Sequence, residues 1–165
     1  MKLEQIQQEL ARVLSEQGVN AVAAWPQGRA VQPEQAMVLV SLEEVKCTPS
    51  GLQDYLGQWA DEPGGEELVR YGRRAQLTFA LDVLTPPEQG AQQERALLDE
   101  MLAVLHIQPP LGLRVQELEV EQGQFDSKQQ LLRRRCRLRC SGWLHARGQR
   151  EDSLLSFELR GEMNK

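Results

Sequence analysis

LLRRRCRLRCSGWLHA, residues 131–146, decides the fold, because its charge repeats every second residue. In a strand, Arg133, Arg135, Arg137 and Arg139 fall on one face, and Arg134, Cys136, Leu138 and Cys140 on the other. A helix would scatter the arginines around its cylinder, so period two predicts a strand. The stretch before it, RVQELEVE (114–121), alternates too: Glu117, Glu119 and Glu121 share one face, and Gln116, Leu118 and Val120 the other. The residues between, QGQFDSKQQ, hold Gly123 and the pair Asp126–Ser127, which predicts a turn. The expectation is an antiparallel hairpin with one apolar face and one charged face.

The charged face has two readings. In one, the glutamate row meets the arginine row in a solvated cross-strand ladder, each pair contributing roughly 0.2–1 kcal/mol. In the other, the arginines face a partner, either nucleic acid or an acidic neighbouring subunit.

Working outward, residues 74–84 (RAQLTFALDVL) form the cleanest strand. Ala75, Leu77, Phe79, Leu81 and Val83 share one face, and Arg74, Gln76, Thr78 and Asp82 the other. Residues 36–45 (AMVLVSLEEV) predict a strand whose first half is buried on both faces, and 19–25 a short one. Residues 2–17 carry Leu3, Ile6, Leu10, Val13 and Leu14 at helical spacing, and Gly18 is placed to end the helix. Residues 90–106 repeat Leu97, Leu98, Met101, Leu102 and Leu105, with Pro109 and Pro110 beyond. A last strand is expected near 154–160. The order α-β-β-β-α-β-β-β predicts a single α+β domain over 1–165: an antiparallel sheet with two helices packed on one face.

Residues 46–73 do not fit this pattern. Pro49, Gly51, Gly57, Pro63, Gly64, Gly65 and Gly72 read as breakers, so the stretch predicts a long extended arm or loop, with a turn or two of helix within 50–59. It also carries Leu52, Tyr55, Leu56, Trp59, Leu68, Val69 and Tyr71, too many large apolar side chains for a solvated linker. Either it folds back on its own core or it packs against another protein. Arg70, Tyr71, Arg73 and Arg74 cluster where it meets the next strand.

Composition narrows the function. The chain has 165 residues, 26% of them charged, with net charge −5. That sign argues against a protein that grips duplex DNA, and no tight nucleic-acid binding by the isolated subunit is expected. No apolar run approaches the ~20 residues of a membrane span, and the N-terminus is too polar for a signal peptide, so a cytoplasmic chain is expected. Cys47, Cys136 and Cys140 fit no disulfide spacing. P-loop, dinucleotide and HExxH motifs are missing, and neither His106 nor His145 has a second ligand at metal-binding spacing. No catalysis, metal or cofactor is expected.

Three stretches carry a resemblance: SGLQDYLG (50–57), LVRYGRRAQLTFALDVLTP (68–86) and FELRG (157–161). They are similar to the tail terminator, or tail completion, proteins of prophages and phage-tail-like particles of Gram-positive bacteria. The same order of elements runs over most of the chain. The resemblance implies an α+β subunit of a hexameric ring that caps the tail tube at its head-proximal end, with docking surface for sheath or head connector. It implies a virion protein assembled in the bacterial cytoplasm, whose partners are copies of itself and the tube protein. Tyr55, Leu56, Trp59, Arg70, Tyr71, Arg73 and the four arginines of the row are then the candidate interface. Rival readings are another tail component (a head–tail connector, tube or baseplate protein) and an unrelated protein-binding adaptor.

Overall fold

The computed structural model describes residues 3–24, 33–49, 55–60, 67–107, 110–148 and 157–160. Helix α1 spans Leu3–Glu16 and α2 spans Gly90–Ile107. The strands are β1 (Ala21–Ala23), β2 (Met37–Pro49), β3 (Tyr55–Ala60), β4 (Glu67–Thr85), β5 (Arg114–Val120), β6 (Gln124–Asp126), β7 (Leu131–Gly148) and β8 (Phe157–Arg160). They form one sheet of path β1-β2-β4-β7-β5. Every pairing is antiparallel except β1 with β2. The α+β class is therefore as expected.

The two long strands β4 and β7 pair along nearly their whole length, from Val69↔Gly148 to Thr85↔Leu132. Everything else attaches to their outer sides. Strands β2 and β3 both pair with β4, while β5, β6 and β8 pair with β7. The odd-numbered residues of β4 supply the core: Ala75, Leu77, Phe79, Leu81 and Val83 are all buried. They join Ile6, Leu10 and Leu14 of α1, Leu97, Met101 and Leu105 of α2, and Cys136, Leu138 and Cys140 of β7 in one cluster. Both helices therefore lie on the same face of the sheet.

Helix α1 ends as its sequence implies. Gly18 has φ +92°, and Val19 N and Gly18 N donate to Leu14 O and Ser15 O, the paired bonds of a Schellman cap. Gln7 of α1 ties the helix to the edge: its Nε2 donates to Ala24 O and its Oε1 accepts from Leu42 N, where the ladder between β1 and β2 has stopped.

Residues 46–73 are the main correction. In their described parts, 46–49, 55–60 and 67–73, they are strand and not a connecting loop; the rest of the stretch lies outside the described residues. Residues 46–49 continue β2, β3 is a strand rather than a helical turn, and β4 begins at Glu67. The glycines misled because in strands they mark irregular pairing and not only turns. Gly57 sits at the register shift in β3, and Gly72 is buried within β4. The result is a sheet extension of β3, the start of β4, the end of β7 and β8. A second correction concerns β5. A register shift between Val115 and Glu117 sets Gln116 out of step, so Val115 and Leu118 both pack against the core. The turn before β7 is as expected: Asp126 Oδ1 accepts from Lys128 N and Gln129 N.

Candidate functional site

Alternation along β7 sets the arginine row on the face away from the helices, because Cys136, Leu138 and Cys140 take the core side. The β5–β7 register then puts Glu117 opposite Arg139 and Glu119 opposite Arg137. Arg137 Nη1 donates to Glu119 Oε2 at 3.3 Å, with Nη2 3.5 Å from Glu121 Oε1. Arg139 Nη1 donates to Glu117 Oε2. Here the ladder reading holds as stated.

The other end of the row is built differently. Sequence reasoning set Arg135 against the glutamates of β5. Glu121 does neighbour Arg135, its N donating to Arg135 O, but the guanidinium pairs with Asp82, which the β4–β7 register places opposite and whose side chain is only 3% exposed. Arg133 Nη2 donates to Asp82 Oδ2 at 2.7 Å, and Arg135 Nε to Oδ1 at 3.1 Å. Arg135 Nη1 also lies 3.5 Å from Glu43 of β2. Burial would raise the Asp82 pKa, but the hydrogen bonds and charges of both arginines outweigh it and hold the carboxyl below its usual value. The four arginines thus meet five carboxylates drawn from β2, β4, β5 and the residue after β5. Beside Arg133 and Arg135 lies a hollow of about 310 Å³, lined also by Glu121, Asp126 and the exposed Phe125. Its charges balance as well.

A compensated row is not a basic patch. The arginines hold four strands in register and leave little net field for a phosphate backbone to meet.

Sequence reasoning missed one further pair. Arg134, on the core side of β7, donates from Nε to Glu94 Oε1 of α2 at 2.9 Å, and from Nη1 to Glu121 O at 3.4 Å. The Glu94 side chain is 6% exposed. The signal was present: Glu94 falls on the stripe of Leu97, Leu98 and Met101, and Arg134 on the face of Cys136 and Leu138. Two opposite charges on the apolar faces of separate elements invite pairing, since burial of either alone is costly.

Of the remaining candidate residues, Tyr55, Leu56 and Trp59 lie in β3, and Arg70, Tyr71 and Arg73 in β4. Register sets Tyr55 opposite Tyr71, and Tyr71 opposite Ala146. Arg73 pairs with Pro49 and Leu144 in register, far along β4 from Leu84, which faces Arg133. The structure therefore gathers the arginine row in one place and the aromatic residues of the sheet extension in another. The side chains of 55–60 and 67–71 lie outside the described residues, as does that of His145.

The thiols of Cys136 and Cys140 are raised by burial to about 11 and about 12, so both stay protonated and unreactive at neutral pH. Among the described residues no cluster of His, Cys, Asp and Glu could hold a metal ion. No helix among them is long and apolar enough to cross a membrane. No protein-family model matches the sequence, and no curated protein matches it.

Proposed function

We propose that this chain is a structural, non-catalytic protein of a phage or phage-like tail: a tail terminator that assembles as a ring on the head-proximal end of the tube and stops its growth. The observation that carries the reading is the convergence of the three resembling stretches. Residues 157–161 are far from 50–57 and 68–86 in sequence. Their described parts enter β3, β4 and β8, which are linked by pairing of β3 with β4, β4 with β7 and β7 with β8. The similarity therefore traces one continuous sheet region, as expected where a shared fold underlies it.

In this reading the sheet extension is the part that meets neighbouring subunits, and the tube protein and sheath or head connector are further partners. The compensated arginine face agrees with a protein-binding role rather than a DNA-gripping one. The test is deletion of the gene in the bacterium that carries it, with electron microscopy of the particles. Tubes of uncontrolled length, restored to uniform length by the gene in trans, are expected. Tails of normal length and normal completion in the deletion strain overturn the reading.

A further inference from the structure

We draw no further inference here: the strongest candidate, the outer edge of β3 in the sheet extension, whose residues Tyr55–Ala60 carry no charge and pair only with β4 among the described residues, carries nothing because nothing in the structure shows what covers it.

Discussion

Asp82 of β4 stands directly across from Arg135 of β7, and the Arg135 Nε donates to its Oδ1 at 3.1 Å while Arg133 bonds its other oxygen. The carboxylate is nearly buried, and the two guanidinium groups are not, at 36% and 40% side-chain exposure. The acid is therefore the group that depends on the pair. Asp82→Asn should cost about 1.5–3 kcal/mol at pH 7, the range for hydrogen bonds to charged groups. The loss should depend on pH. Because the folded pKa is depressed, the Asp82 contribution is complete above the unfolded value of about 3.9 and fades as pH falls through the folded one. Denaturant titrations from pH 7 to pH 2 should show the wild-type advantage over Asp82→Asn constant down to about pH 4 and shrinking below it. A gap that does not narrow would mean that Asp82 is not the titrating group.

The far end of the same row should behave differently. Arg139 and Glu117 are each almost half exposed, so solvent and salt screen them. A double-mutant cycle with Arg139→Ala and Glu117→Ala should return a coupling of about 0.2–1 kcal/mol that falls in 1 M salt. A salt-independent coupling above about 2 kcal/mol would contradict the exposure seen here.

Gly123 sits against the Glu94–Arg134 pair: a Cβ there would lie 3.1 Å from Glu94 Oε1 and 3.2 Å from Arg134 Nη2. Gly123→Ala should destabilise by about 1 kcal/mol, at the low end for overpacking, since side-chain ends can shift. Glu94→Ala removes one of the two crowded atoms. The cost of Gly123→Ala should be smaller in that background, a non-additivity measurable by chemical denaturation. Full additivity would show that the glycine is not needed for the pair.

Thr85 is wholly buried, and its hydroxyl finds no hydrogen-bond partner among the described residues. Valine has nearly the same shape without the polar atom. Thr85→Val should therefore raise stability by about 1 kcal/mol, because the desolvation cost of an unpaired hydroxyl is removed. A lower denaturation midpoint for the variant would reveal a partner for the hydroxyl.

Sequence-based and structural descriptions agree where local pattern is enough. Period two in residues 74–84 and 131–146 fixed which side chains face the core, and Phe79, Leu81 and Leu138 are buried accordingly. They part where an outcome depends on which strand lies alongside. The glycines and prolines of residues 46–73 suggested an arm or loop, with a turn or two of helix within 50–59, yet Tyr55 to Ala60 pairs with β4, a neighbour that no local reading supplies.

What the sequence determined by itself was the α+β class, the faces of the long strands, the stripes of both helices and the left-handed stop at Gly18. Each follows from backbone geometry within a few residues. What only the tertiary structure decided was the partnership of charges. Asp82 takes Arg133 and Arg135, leaving Glu117, Glu119 and Glu121 to Arg137 and Arg139, and Glu94 takes Arg134. Alternation says which face an arginine occupies, but the carboxylate it meets is set by the register of β4 and β5 on β7 and by the seat of α2. Those are long-range relationships fixed by packing of the whole core.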